Sequence, residues 1–194
     1  MRIGLDLDNT IAIYDNVFAK LGKTITKLPK DCKLTKKSIA DFLRKNGREE
    51  EWTKIQGLVY GPKMEDAVPA PFFLDAVKRF HKSGFKCFVV SHRTKIPASG
   101  DNFNLHNFAN QWIDNHCRQF LTDVFFEETI NKKIRRIQAL ELNIFIDDLE
   151  KILKKLKQSN IKKVLYTDDT SSKNQFIVMN DWKQIMDYVY YMNP

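Results

Sequence analysis

The sequence predicts an α/β fold: a doubly wound parallel sheet with a small helical insertion after its first strand. Two patterns support this prediction. Short apolar segments alternate with amphipathic helical patterns along most of the chain, whereas one long stretch near the N-terminus has helical patterns and no convincing strand. Alternating strands and helices indicate a parallel sheet that helices cover on both faces. Because ligands bind beyond the carboxyl ends of the strands in such a sheet, polar residues at those ends are the first candidates for function.

Five apolar segments are the predicted strands, and the clearest is FKCFVV, an almost unbroken apolar run of the kind found in buried parallel strands. Helices are indicated where apolar residues recur three and four positions apart, because this spacing places one stripe toward a core. The predicted strands cover residues 3–6, 85–90, 124–126, 143–146 and 164–166, and the helical stripes of the same domain lie within 73–80, 105–113, 134–140, 149–156 and 182–189.

The segment 15–71 interrupts this alternation. Apolar stripes at 39–43 and 52–59 mark two helices, and a glycine follows each of them. The AVPAP sequence that comes next is a stiff connector back into the sheet, since each proline fixes its own backbone φ. We therefore expect a helical insertion over 15–71 and an α/β domain formed by 1–14 and 72–194.

The composition is that of an ordinary globular chain, with 194 residues, 43% hydrophobic and 29% charged. No apolar run approaches the length of a membrane span, and polar residues interrupt the apolar start of the chain, so we expect neither a membrane segment nor a signal peptide. The cysteines, Cys32, Cys87 and Cys117, are odd in number and lack the spacing of a zinc site, which favours a reducing cytoplasm.

The formal net charge of +8 is compatible with a polyanionic partner such as nucleic acid. The basic residues are dispersed, however, and no nucleic-acid-binding motif accompanies them, so nucleic acid is not the favoured partner. A basic balance also suits a small phosphorylated substrate.

The stretch MRIGLDLDNT is the most informative part of the chain, because it ends an apolar run in two aspartates, Asp6 and Asp8. Such a pair is costly to desolvate unless a cation or a reacting group compensates for its charge. Residues i and i+2 lie on one side of an extended chain, so both carboxylates can approach one group. The pair therefore predicts a functional site.

Further polar residues follow later predicted strands. Ser91 comes after FKCFVV, and Asp147 and Asp148 come after the apolar Ile144 to Ile146, where adjacent carboxylates suit a hard cation. Lys132 and Lys133 both precede the stripe of the helix over 134–140. All of these positions lie at one edge of the predicted sheet, except the lysines, which open a helix.

Taken in chain order, the aspartate pair, the serine, the lysine and the second aspartate pair resemble the four motifs of the haloacid dehalogenase-like (HAD) hydrolase superfamily. Members of this superfamily are mostly magnesium-dependent phosphatases with a Rossmann-like core. The resemblance implies that Asp6 is the nucleophile that forms an aspartyl-phosphate, and that Asp8 acts as general acid and then general base. It implies that Ser91 donates a hydrogen bond to a phosphoryl oxygen. The motif lysine, which stabilises the nucleophile, would be Lys133 or Lys132.

The resemblance also implies a magnesium site. Asp147 would bind Mg²⁺ with the carboxylate of Asp6 and the backbone carbonyl of Asp8, while Asp148 binds directly or through water. Mg²⁺ usually keeps several waters, which would complete its octahedron. The insertion corresponds in this resemblance to a cap that closes over the site and selects substrates.

We therefore expect a magnesium-dependent phosphomonoester hydrolase that acts on a small phosphorylated metabolite, either a nucleotide or a sugar phosphate. Dehalogenases of the superfamily usually lack the second acidic residue, so Asp8 argues against carbon–halogen chemistry. His92, Arg93 and Lys95, in the loop after Ser91, could contact a substrate anion, although a solvated loop explains them too. The alternatives are a polynucleotide-end phosphatase and a non-catalytic module that binds phosphate or nucleic acid.

Overall fold

The computed structural model describes residues 1–29, 32–157, 160–169 and 175–192. The chain divides into two compact units. The first consists of Met1–Ala12, Pro69–Arg93 and His116–Pro194, and the second of Ile13–Val68 and Thr94–Asn115.

The first unit contains a six-stranded sheet in which every neighbouring pair of strands is parallel. Its strands in chain order are β1 (Arg2–Leu5), β4 (Lys86–His92), β5 (Asp123–Glu127), β6 (Ile144–Asp147), β7 (Lys162–Tyr166) and β8 (Ile177–Met179). The spatial order is β5-β4-β1-β6-β7-β8, so the first strand of the chain lies in the middle, between β4 and β6. Short strands β2 (Ala12–Ile13) and β3 (Val68–Pro69) form a separate two-stranded sheet.

Helices α4 (Phe73–Lys82), α6 (Ile130–Ala139), α7 (Glu150–Lys155) and α8 (Trp182–Tyr191) pack around this sheet. One apolar core lies beneath α6 and α7, where Ile137 and Leu153 join Val90 and Phe145 of the strands. Helix α4 packs against β4 and α8, and the rings of Phe73 and Trp182 meet edge to face at 4.9 Å. The burial of apolar stripes on sheet faces is the main stabilising term here.

The second unit is helical. It contains α1 (Asp15–Ile25), α2 (Lys36–Lys45), α3 (Glu49–Tyr60) and nearly all of α5 (Leu105–His116). Its core is aromatic: the rings of Phe18 and Trp52 stack at 5.5 Å, and those of Tyr14 and Tyr60 meet edge to face at 5.2 Å. Trp112 of α5 is buried, and its Nε1 donates to the carbonyl of Ala67 at 2.9 Å.

The structure confirms the predicted fold class, an α/β parallel sheet with a helical insertion, α1–α3, after the first strands. All five predicted strands are present in the six-stranded sheet. The structure adds β8 to that sheet, the short strands β2 and β3, and the helix α1, which the sequence analysis did not locate. Residues 94–115 group with the insertion in one compact unit, while the domain boundaries given above stay a prediction. Among the described residues, no helix is long and apolar enough to cross a membrane.

Candidate active site

The polar motif residues converge because their strands are neighbours. Strand β1 lies between β4 and β6, so Asp6, Ser91 and Asp147 stand at the carboxyl ends of three adjacent parallel strands. The backbone N–H of Asp6 donates to the carbonyl of Ile146 at 2.9 Å, which extends the β1–β6 ladder up to the first aspartate. This edge of the sheet is where ligands bind in open α/β folds.

Three carboxylates form a cluster at this edge. One oxygen from each of Asp6, Asp147 and Asp148 lies within 4.8 Å of the others, and the first two side chains are buried. The backbone N–H of Leu149 donates to Oδ1 of Asp147 at 2.8 Å, and Nδ2 of Asn9 donates to Oδ2 of Asp148 at 3.4 Å. Hard divalent cations prefer oxygen donors, so the chemistry and the closeness of these groups fit such a cation.

Lys133 neutralises part of this cluster. Its Nζ donates to Oδ1 of Asp6 and to Oδ2 of Asp147, each at 2.6 Å, although the lysine side chain is only 2% exposed. Lys132 points elsewhere: its side chain is 58% exposed, and its Nζ lies 3.9 Å from Glu128. Of the two lysines that the sequence left open, the structure brings only Lys133 to the carboxylates.

Helix α6 places Lys133 in the site. The helix begins at Ile130, and the side chain of Thr129 caps it by accepting a hydrogen bond from the N–H of Lys132 at 3.2 Å. The N–H of Lys133 bonds to the carbonyl of Thr129 at 3.0 Å, so the lysine sits in the first turn. Lys133, Ile134 and Ile137 form the buried face of the helix.

Burial and the neighbouring charges shift the pKa values of Asp6 and Lys133. Burial raises the pKa of Asp6 well above its ordinary value; Lys133 lowers it, and the carboxylates of Asp147, Asp148 and Asp8 raise it further. Burial alone would lower the pKa of Lys133, but Asp6 and Asp147 outweigh that effect and raise it. The lysine is therefore a permanent cation at neutral pH, held between two acidic groups.

Asp8 has a different cationic partner. Nη2 of Arg93 donates to its Oδ1 at 2.5 Å, with the arginine side chain 3% exposed and the aspartate side chain 22% exposed. The loop that carries Asp8 turns back sharply, since the N–H groups of Ile11 and Ala12 both donate to the carbonyl of Leu7. Asn9 makes this turn with a left-handed φ of 58°, which asparagine tolerates better than most residues.

Ser91 is 1% exposed, and its Oγ has no hydrogen-bond partner within the described residues. A buried hydroxyl without a partner is costly, so this atom suits a ligand oxygen. His92 is exposed, and partial burial lowers its pKa; a backbone hydrogen bond at Glu128 acts in the opposite direction, and the charge of Lys133 adds to the lowering. Lys95 belongs to the other compact unit.

Sequence reasoning missed three contributors to this geometry. The pairing of Arg93 with Asp8 and the contact of Asn9 with Asp148 join residues more than eighty positions apart, which no local pattern reveals. The cap by Thr129 could have been found, because a threonine before an amphipathic stripe is a common helix start.

Comparisons with known proteins support the fold and go no further. No protein-family model matches the chain, and no curated protein matches it. Among solved structures, a haloacid dehalogenase-like family hydrolase from Streptococcus pneumoniae is similar over 97% of both chains, with 14% identity and a TM-score of 0.67. A predicted phosphatase from Clostridium acetobutylicum matches over 98% of both chains, with 12% identity and a TM-score of 0.67.

A predicted phosphoglycolate phosphatase from Haemophilus somnus also matches, over 96% of both chains, with 11% identity and a TM-score of 0.62. Because each match covers nearly all of both chains, the likeness includes the helical insertion as well as the sheet. The chain therefore has the HAD-like hydrolase fold. Because a fold hosts many activities, the chemistry must be argued from the residues of the site.

Proposed function

We propose that this protein is a magnesium-dependent phosphomonoester hydrolase that works through an aspartyl-phosphate on Asp6. Its substrate is a small phosphorylated metabolite, a nucleotide or a sugar phosphate. The observation that carries the proposal is the position of Lys133, which is buried between Asp6 and Asp147 in a cluster of three carboxylates. A purely structural role does not explain so many charged groups at the ligand-binding edge of the sheet.

The roles follow from the chemistry of phosphoryl transfer, which needs an in-line nucleophile, a proton donor and groups that hold the phosphoryl oxygens. Asp6 supplies the nucleophilic oxygen, and Lys133 keeps that carboxylate oriented and partly neutralised. The unpartnered Oγ of Ser91 donates to a phosphoryl oxygen. Asp8 protonates the leaving oxygen and later removes a proton from the water that hydrolyses the aspartyl-phosphate.

Asp6, Asp147 and Asp148 would hold the magnesium ion, together with the backbone carbonyl of Asp8. When bound, the ion offsets the negative charge of the phosphoryl oxygens and of the carboxylates. The side chains of the protein have the other roles in this proposal: burial keeps water from the Asp6 carboxylate, Lys133 orients that carboxylate, and Asp8 transfers the proton. A cytoplasmic location suits such a metabolite phosphatase and stays a prediction.

The test is hydrolysis by the purified protein, with magnesium, of p-nitrophenyl phosphate and of a panel of phosphorylated metabolites that includes phosphoglycolate. We expect turnover that a chelator removes and that Asp6→Asn reduces to background, because an amide cannot form the aspartyl-phosphate. Asp75→Asn, at an exposed aspartate of α4, is the matched control and should keep full activity. Turnover that survives in Asp6→Asn would show that another group is the nucleophile.

A polynucleotide-end phosphatase is the second candidate, and the net charge of +8 is the observation that favours it. That candidate predicts oligonucleotide binding that weakens steeply with salt, since phosphate contacts release counterions. Release of phosphate from a phosphorylated oligonucleotide, at a rate above that for all metabolites, would favour it over the metabolite phosphatase. A non-catalytic binding module predicts phosphate binding without turnover.

A further inference from the structure

We propose that Arg93 is a positioning residue, which holds the carboxyl of Asp8 toward the leaving oxygen of the substrate. Under this proposal the enzyme is built for phosphate esters of weakly acidic alcohols. The inference rests on the proposed function, because a leaving oxygen exists only if the chain hydrolyses phosphate esters. Its structural basis is the ion pair in which Nη2 of Arg93 donates to Oδ1 of Asp8.

The burial of Arg93 calls for an explanation. A guanidinium cannot lose its proton in a protein, so its desolvation has to be offset by groups that accept its hydrogen bonds. A carboxyl oxygen accepts such a bond whether or not the carboxyl also carries a proton. Arg93 is 4% exposed, whereas several other arginines of the chain, such as Arg44 and Arg136, keep about half of their side chains in solvent. A permanent cation, Arg93, is therefore buried in the site in contact with Asp8, the second aspartate of the Asp-x-Asp pair.

Both ends of the ion pair are fixed by backbone. Arg93 directly follows β4, and its N–H donates to the carbonyl of Glu127 at 3.0 Å, which ties it to β5. Asp8 stands in the turn after β1, where it forms a bridge with Ala12. Because both residues are tied to the backbone framework, the hydrogen bond from Nη2 of Arg93 to Oδ1 restricts the directions that the Asp8 carboxyl can take.

The two aspartates therefore have separate cations: Lys133 for Asp6 and Arg93 for Asp8. In the first step, an oxygen of Asp6 forms a bond to phosphorus while the phosphorus–ester oxygen bond breaks and its electron pair goes to the ester oxygen. The proton of the Asp8 carboxyl passes to that oxygen, which leaves as the alcohol. The more basic the departing oxygen, the more the step depends on a well-aimed proton.

This dependence gives a test that separates positioning from general support of the structure. We compare kcat for p-nitrophenyl phosphate, whose nitrophenolate leaves readily without a proton, with kcat for ethyl phosphate, whose ethoxide does not. Arg93→Met is expected to lower kcat for ethyl phosphate at least about ten-fold more than kcat for p-nitrophenyl phosphate. Asp8→Asn should show the same selectivity to a larger degree, and Arg93→Lys, which keeps a cation, should recover part of the ethyl phosphate rate.

Arg136→Met is the matched control, because Arg136 is an exposed arginine of the same unit that pairs with Glu127 at 2.8 Å. Its ratio of the two rates should equal that of the unmodified protein. Equal loss on both substrates in Arg93→Met and Arg93→Lys would overturn the positioning role. A rise in KM by one common factor for both substrates, with kcat unchanged, would overturn it as well and would make Arg93 a contact of the substrate phosphate.

The outcome for the unmodified protein keeps the two proposals apart. If it hydrolyses neither ester nor any metabolite of the panel, the proposed function fails. If it hydrolyses both and Arg93→Met loses no selectivity, only the role of Arg93 fails. Circular dichroism spectra that match those of the unmodified protein establish that each variant is folded when its rates are compared.

Discussion

At the scale of single residues, the site is defined by the pairing of buried charges. Asp6 and Asp147 share Lys133, and Asp8 contacts Arg93, so each catalytic aspartate of the proposed mechanism has a cation of its own. Removing one member of a buried ion pair leaves the other as an uncompensated buried charge. The resulting loss of stability is larger than the net stabilisation that the pair provides. The stability of the protein is therefore sensitive to the same residues that would carry the chemistry.

The neighbouring lysines allow a matched measurement of this effect. Lys133→Met should lower the free energy of unfolding by about 3–5 kcal/mol in the presence of a chelator, because two buried carboxylates lose their cation. Lys132→Met should change it by less than about 0.5 kcal/mol, since its contact with Glu128 is exposed and long. Urea unfolding measures both, and equal costs for the two variants would contradict the assigned partners of Lys133.

Much of the site was predictable at this scale, and the reason is chemical. Carboxylates at the end of apolar strands are costly without a cation, so Asp6 and Asp147 stand out in the sequence alone. The sequence favoured Lys133 over Lys132 without excluding the latter. Lys133 lies one turn before Ile137 on the buried face of the helix, but only the fold shows that this face meets the carboxylates. The same holds for Arg93, whose partner is set by the packing of β4 beside β1.

At the scale of secondary structure, the first turn of α6 positions the lysine that joins Asp6 to Asp147. Thr129→Ala should lower the free energy of unfolding by about 1 kcal/mol, the usual cost of an N-cap, and should also lower kcat because the turn that holds Lys133 loosens. Thr35→Ala removes an equivalent cap, with the same 3.2 Å hydrogen bond, from α2. It should cost about the same stability and leave kcat unchanged.

Urea unfolding and steady-state rates on p-nitrophenyl phosphate provide the two readouts. A loss of kcat in Thr35→Ala as large as that in Thr129→Ala would mean that general destabilisation, rather than the position of Lys133, lowers the rate. Unchanged kcat in Thr129→Ala would show that the carboxylates hold Lys133 without help from the cap.

The elements that sequence patterns predicted are the strongly apolar ones. Strand β4 is buried over five consecutive residues, and α4 has a clear apolar stripe, so both were visible. Strand β8 was not visible in the sequence. It has only three residues, all half-buried at the edge of the sheet, where the side chains need not be uniformly apolar. Helix α1 was not located because its buried residues include Gly22, which interrupts the apolar stripe.

At the scale of the whole molecule, a cation bound by the three clustered carboxylates would link its binding to folding. They are brought together from β1 and from the end of β6 only in the folded chain, so a cation that binds them stabilises the folded state alone. Separated in the unfolded chain, the same carboxylates are weak ligands. Binding of the metal should therefore raise the melting temperature of the protein, and this rise can be measured without any substrate.

Magnesium at about 100 times its dissociation constant should stabilise the fold by about 2.7 kcal/mol. For a chain of this size that corresponds to a rise in Tm of about 5–10 °C, measured by calorimetry against sodium chloride of equal ionic strength. Asp148→Asn removes one negative charge and replaces one carboxylate oxygen by an amide nitrogen, which weakens the binding of a hard cation. Lys133 keeps its contacts with Asp6 and Asp147, so this variant should fold normally and show a smaller rise. An undiminished rise in Asp6→Asn/Asp148→Asn would place the stabilising ion elsewhere on the protein and would remove magnesium from the proposed site.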